Sequence, residues 1–357
     1  MKICVVGLGN IGFNLFVYLD QKFPGEVIGV DVNEGRVKEL RRQGYRVTAD
    51  YRALTGIDVW LMAPSTGNQG QNLFSALEHM IICPGSLISI ESTLPPGTMV
   101  RIREFLEKRG FKLGTDLFLI HVPHRVMFGV DKTVCDTPRV MGAFTKECLK
   151  KGREFYNPLV PLLVEVGDVR VAELSKVVEN VKRYVDVAFA QEIYGFCVSK
   201  GISYEELRTA VNSKNNVELL ATDWGIGGEC LPKDMNFLRT VCSSALLEGA
   251  ELADKNYRDS IQVQVGSDKE VWVRGISYKT GVKDLNHSRG VDLVRALEAA
   301  GNTVKVDDPL FSPDELNEAG FNPIDQQELN SQDPKVDAAR VILDRHKALE
   351  AKGLPLI

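Results

Sequence analysis

The chain has 357 residues, 44% of them hydrophobic and 25% charged, with a net charge of −5. That balance belongs to a soluble globular protein of two or three domains, and it sets aside nucleic-acid binding, which more often comes with a basic stripe. Seven cysteines, at 4, 83, 135, 148, 197, 230 and 242, are odd in number and form no CxxC pair, which argues against a disulfide framework and against a zinc site or other bound metal. No apolar stretch is long enough to cross a bilayer, and Met1 runs straight into a strand with no charged leader. Reducing cytoplasm is therefore the expected setting, with no membrane partner.

Residues 1–155 alternate short β-rich runs with helical patterns. CVVGLG, EVIGVDV, IDVWLMAP and LISIESTLPPG read as strands, and NEGRVKELRRQG and QNLFSALEHMII as helices. That alternation predicts a parallel sheet covered on both faces, the N-terminal Rossmann domain of an α/β protein. Residues 156–262 read as a central helical domain. From Asp168 to Lys200 there is no proline, no glycine before Gly195, and apolar residues recur at helical spacing, which predicts one long helix of roughly eight turns. Shorter helices from SYEELRTAV onward are interrupted by the glycine-rich WGIGGECLPKD. Alternation returns over 263–357: KEVWVRGISYK is a strand, SRGVDLVRALEAAG a helix, NTVKVDDP a strand and ARVIL a last strand. This third part reads as a C-terminal Rossmann-like α/β domain.

Two loops carry chemistry. Gly7-Leu8-Gly9-Asn10-Ile11-Gly12 follows a strand and precedes a helix. Gly7 permits a tight turn, Gly9 leaves the backbone open to a pyrophosphate, and Gly12 lets helix and strand pack closely, with the helix N-terminus facing the phosphates. Asp31 lies 19 residues beyond Gly12; an acid there accepts hydrogen bonds from the adenosine ribose and repels a 2′-phosphate, which favours NAD over NADP. The second loop is Gly227-Gly228-Glu229-Cys230-Leu231-Pro232-Lys233-Asp234. Pro232 suits the first turn of a helix, which places Cys230 at a helix N-terminus, where backbone N–H groups stabilise a thiolate. Lys233 adds positive charge, and Asp234, four residues on, shares a face with Cys230 as a proton acceptor or orienting group. Gly227 and Gly228 leave room for a substrate. On the long helix Lys176 and Asn180 form an i, i+4 pair able to hold an alcohol oxygen and the oxyanion that forms as hydride leaves. Glu173 and Glu179 read as surface charges.

Taken in order, GLGNIG with Asp31, ESTLPPGT at 91–98, AELSKVVEN at 172–180, GIGGECLPKD at 225–234, GISYKTGVKD at 275–284 and DDP at 307–309 resemble the UDP-sugar dehydrogenases, which oxidise UDP-glucose or UDP-N-acetylhexosamines at C6. The cysteine loop is the specific element; a Lys-x-x-x-Asn pair alone also fits the β-hydroxyacid dehydrogenases. KVVENVKRYVDVAFAQE and the Arg125-Val126-x-x-Gly129 segment look closer to the N-acetylhexosamine branch and place Arg125 among the substrate-binding residues. The resemblance implies a four-electron oxidation with two NAD and a Cys230 thiohemiacetal and thioester. It assigns oxyanion support to Lys176 and Asn180, and water and proton traffic to Asp234 with Thr93, which also lies against the cofactor. It further implies a nucleotide held by the C-terminal domain with Tyr278 and Lys279, and a homodimer built on the long helix.

The chain departs from that pattern at three points. His124 stands where the family has a glutamate that assists thioester hydrolysis, and a histidine there either acts as a base near neutral pH or merely packs. Asn286 replaces an arginine of the phosphate side, and it cannot pair with phosphate as arginine does. The C-terminal end is also short for the family. A two-electron dehydrogenase, needing Lys176 and Asn180 but not Cys230, and a non-catalytic nucleotide-sugar-binding protein are the alternatives.

Overall fold

The computed structural model describes residues 1–67, 70–126, 133–279, 281–325 and 341–344. Its packing divides into two compact units, Met1–Glu179 and Asn180–Ile357. In the first unit the elements run β1 Ile3–Val6, α1 Asn10–Lys22, β2 Val27–Val30, α2 Glu34–Arg42, β3 Val47–Thr48, β4 Val59–Met62 and α3 Gln71–His79. They continue β5 Ser86–Ile90, α4 Thr98–Lys108, β6 Leu117–His121, β7 Arg139–Ala143, α5 Lys146–Tyr156 and β8 Leu163–Val166. The unit boundary falls inside α6 Val169–Lys200, the expected long helix of 32 residues.

These strands are short apolar runs because both faces of the sheet are covered. Ile3 and Val5 point to one face and pack with Leu15, Phe16 and Leu19 of α1. Cys4 and Val6 point to the other, with Leu73 and Leu77 of α3 and Ile102 and Leu106 of α4. The strand order is β3-β2-β1-β4-β5-β6-β7-β8, whose first six strands follow the doubly wound dinucleotide-binding order, with the reversal point between β1 and β4. One expectation needs correction: the sheet is not parallel throughout, since β6 and β7 pair antiparallel, Ile120 opposite Ala143. Among its described residues the connection between them holds no helix to carry the chain back across the sheet, and a parallel neighbour needs such a crossover.

The second unit continues α6 and adds α7 Tyr204–Asn212, α8 Cys230–Arg239, α9 Ala245–Val265, β9 Glu270–Arg274, α10 Arg289–Ala299, β10 Thr303–Asp307, α11 Pro313–Glu318 and β11 Val341–Asp344. A small parallel sheet in the order β10-β9-β11 packs Val271 and Val273 with Leu293 and Leu297 of α10, in one core with Tyr194, Tyr204 and Tyr257. The expected last strand is present as β11. Ala339, Arg340 and Gly129 lie outside the described residues.

Candidate active site

The first glycine loop sits at the C-terminal end of β1, beside the reversal point, where open α/β sheets take their ligands. Gly7 has φ +84°, and a Cβ there would come within 2.6 Å of Pro64 Cα. A Cβ on Gly12 would stand 1.8 Å from the Gly7 carbonyl oxygen, so no side chain fits where α1 crosses β1. A Cβ on Gly9 would meet nothing within 4 Å. The three glycines thus divide the work as the spacing predicts: turn, open approach, close packing. Gly9 caps α1 without a side-chain bond and the first turn carries no acid, so the N–H groups from Asn10 and Ile11 onward are available to an anion. Asp31, at the end of β2, accepts from Leu8 N at 2.6 Å and from Asn33 N at 2.8 Å. Each carboxylate oxygen retains a further lone pair for a ribose hydroxyl. Thr93 is half-buried in the loop that follows β5.

Next to that loop lies a buried ionic network that the sequence pattern did not reveal. Arg139, at the start of β7, and Glu91, just past β5, are both fully buried and pair at 2.6 Å. Glu91 also meets His124 Nε2 at 3.0 Å and accepts from the Tyr156 hydroxyl, while Ser89 Oγ lies 2.7 Å from the carboxylate. Burial raises the Glu91 carboxyl, but the Arg139 charge and the His124 and Tyr156 hydrogen bonds outweigh it and hold it at about 2. Arg139 in turn reaches the Val122 and Pro123 carbonyls and, at 3.3 Å, His124 Nδ1.

His124, for which the sequence left a base and a packing role open, sits inside this network. Its Nδ1 accepts from Arg139, its Nε2 lies 3.0 Å from a Glu91 carboxylate oxygen, and the ring is buried. Burial, with the Arg139 and Lys176 charges, lowers it to about 4, so it is neutral and its one lone pair is taken.

Of the two glutamates read as surface charges, Glu173 is corrected, while Glu179 stays partly exposed. Glu173 is 1% exposed and accepts from Gly97 N at 2.9 Å and Met99 N at 2.7 Å, capping α4 from a neighbouring helix. Burial pushes its carboxyl up against the pull of those N–H groups. Glu179 holds Arg125 in a two-pronged bridge, at 2.7 and 3.1 Å. Arg125 also donates to the Pro138 carbonyl, so this expected substrate residue is pre-positioned by a carboxylate and the chain itself.

In the second unit Cys230 is the first residue of α8 and is exposed. Asp234, one turn later, is buried and accepts from Asn180 Nδ2 at 2.5 Å, so two of the expected site residues meet. Lys176 lies one turn before Asn180 on α6, half-buried. The Tyr278 ring stands 3.4 Å from where a Gly228 Cβ would be, and burial, together with Cys230 nearby, pushes its hydroxyl up. Lys279 is exposed in the turn that pairs it with Val282. The expected role of Gly227 needs correction: the space beside it is filled by the Arg289 side chain, 2.9 Å from a Cβ position, and the His287 carbonyl at 3.1 Å. Its missing side chain admits the protein's own arginine. Asn286 is tied back to Asp284 through its side chain at 2.8 Å. Among the described residues no cluster of three or more His, Cys, Asp or Glu side chains could hold a metal ion, and no helix is long and apolar enough to cross a membrane.

Comparison with known proteins agrees with this architecture. Residues 170–255 match the UDP-glucose/GDP-mannose dehydrogenase family, central domain. The chain is 29% identical over 364 residues to the UDP-N-acetyl-D-mannosamine dehydrogenase of Methanocaldococcus jannaschii, covering 89% of this chain and 83% of that one. It is 27% identical over 347 residues to the enzyme of that name in Methanococcus maripaludis, covering 86% and 79%. The structure of UDP-N-acetyl-mannosamine dehydrogenase from S. aureus superposes with a TM-score of 0.75 at 25% identity, covering 96% of this chain and 88% of that chain. The class these matches define is an oxidoreductase. Residues 170–255 match the central domain of that family, and the resemblance to the UDP-sugar dehydrogenases drawn from the motifs is supported over most of the chain.

Proposed function

We propose that the protein is an NAD-dependent nucleotide-sugar 6-dehydrogenase that takes the C6 alcohol of a UDP-N-acetylhexosamine, or of UDP-glucose, to the uronate. The observation that carries this reading is Cys230, exposed at the first turn of α8 with the buried Asp234–Asn180 pair one turn away. Gly7, Gly9, Asn10, Ile11, Gly12 and Asp31, with Thr93, would hold NAD, and the open approach at Gly9 suits its pyrophosphate. Bound NAD supplies the hydride acceptor for both oxidations.

The chain's own residues do the rest. Lys176 and Asn180 support the sugar oxygen as its proton leaves. The Cys230 thiolate adds to the aldehyde carbon and its oxygen takes a proton, giving a thiohemiacetal. Loss of that proton and a second hydride leaves a thioester. Water then cleaves the C–S bond, releasing uronate and free thiol. With the His124 lone pair engaged by Arg139, Asp234 is the carboxylate this reading assigns to the water step. Arg125, Gly228, Tyr278 and Lys279 would contact the nucleotide sugar, and Gly227 would act on it through Arg289. The relatives are UDP-N-acetyl-D-mannosamine dehydrogenases by name, which supports the N-acetylhexosamine choice.

A homodimer fits α6, where Phe189 and Phe196, two turns apart on one face, are 59% and 52% exposed. Seven free cysteines suit a reducing cytoplasm.

The test is NADH yield from a panel of UDP-, GDP- and dTDP-sugars with product mass. Two NADH per uronate, and none of that product from Cys230→Ala, are expected. One NADH per substrate with an active Cys230→Ala variant would sink the reading in favour of a two-electron dehydrogenase.

A further inference from the structure

Among the described residues the loop that delivers Cys230 pairs with no strand; side chains and one backbone bond hold it. Asp254 of α9 is 1% exposed and spends its carboxylate there. It accepts from the backbone N–H of Ile226 at 2.7 Å, from Gln191 Nε2 at 3.1 Å and from Arg258 Nε at 3.0 Å. The Arg258 stem so held covers Gly225, where φ is +134° and a Cβ would lie 2.5 Å from Arg258 Cδ. On the other side Arg289 Nε donates to the Ile226 carbonyl at 2.9 Å, and Gly228 N donates to the His287 carbonyl at 2.9 Å. Both backbone groups of buried Ile226 are thus bound by charged side chains from two distant helices, four residues before the thiol. A buried N–H without such an acceptor is costly, so the loop takes this path only while the carboxylate is in place.

We infer that Asp254 is a positioning residue for Cys230: its bond to Ile226 and its hold on Arg258 fix the loop from which α8 starts. The inference rests on the reading of Cys230 as the nucleophile, and nothing in the mechanism above otherwise uses Asp254.

The test is residue-resolved alkylation of the full chain by iodoacetamide, read by peptide mass at Cys230 and at Cys242, the other exposed cysteine. In Asp254→Ala the rate at Cys230 should shift by about tenfold while Cys242 keeps its rate. Asp254→Asn keeps an acceptor for Ile226 but gives up the charge that holds Arg258, so it should shift the Cys230 rate by about threefold, less than Asp254→Ala and about as much as Arg258→Ala. In NADH assays Asp254→Ala should lower kcat and leave the KM for NAD unchanged. An unaltered Cys230 rate in folded Asp254→Ala, or equal shifts at Cys230 and Cys242, overturns the inference. Should Asp254→Ala fail to fold, Arg258→Ala decides by the same two rates, since it uncovers Gly225 and leaves Ile226 its acceptor. If the parent forms no NADH with any nucleotide sugar, the functional reading falls, and the alkylation rates still judge Asp254.

Discussion

The two glycine loops are fixed by opposite means. At Gly7–Gly12 the backbone holds itself: a strand carbonyl takes the Gly7 N–H, Pro64 blocks one side and the Gly7 oxygen leaves no room at Gly12. At Gly225–Gly228 long side chains do the holding, Arg258 over one glycine and Arg289 against another. Backbone contact is nearly incompressible, whereas an arginine stem can swing away. The first loop therefore suits a fixed anion cradle. The second lets the position of the Cys230 thiol depend on partners elsewhere in the chain. In the first unit the buried Glu91–Arg139 pair also ties the end of β5 to the start of β7.

That contrast can be broken experimentally. Glu91→Ala leaves the Arg139 charge uncompensated in the interior and should cost about 4 kcal/mol, measured by urea unfolding; a loss below about 1 kcal/mol would show the pair to be unimportant. Gly12→Ala should cost about 3 kcal/mol, because helix and strand must separate. Gly225→Ala strains φ but meets only a movable stem, so about 1–2 kcal/mol is expected; equal costs at the two glycines would erase the distinction.

Acid should expose the network next. Chiefly through burial, the fold lowers His121 and His124 from 6.5 to about 4. The unfolded chain takes up those protons first, so stability is full above pH 6.5 and drains as pH falls towards 4. Glu91, held at about 2 against 4.5, extends the loss from pH 4.5 downward. Urea midpoints against pH should show this fall, flattened in its upper part by His124→Gln; a level parent profile would contradict the buried neutral histidines. The smallest effect belongs to Gly9→Ala: stability within about 0.5 kcal/mol of the parent, with NAD affinity, by titration, weakened about tenfold if the pyrophosphate approaches there.

Much of this was legible in order of sequence distance. Buried strands, the 32-residue helix, the roles of Gly7, Gly9 and Gly12, and Cys230 at a helix start follow from local pattern. Partnerships across the chain do not. Glu91 and Arg139 are 48 residues apart, Gly97 and Glu173 76, and Ile226 and Asp254 28, and only tertiary packing brings each pair together. A signal was present for the first pair: a charge directly after the apolar run SLISI, and another opening RVMGA. Charges flanking fully buried strands need partners. For Glu173, by contrast, helical spacing alone could not say which face another helix would meet. The strand reversal at β7 was hidden because apolar runs carry no sign of direction.

Asp31 serves its own turn before it serves any ligand. Both carboxylate oxygens latch backbone N–H groups, one of them in the glycine loop. Replacing it would also unfasten Leu8, so on the proposed reading a change towards a phosphorylated ribose calls for a substitute latch as well as a new charge.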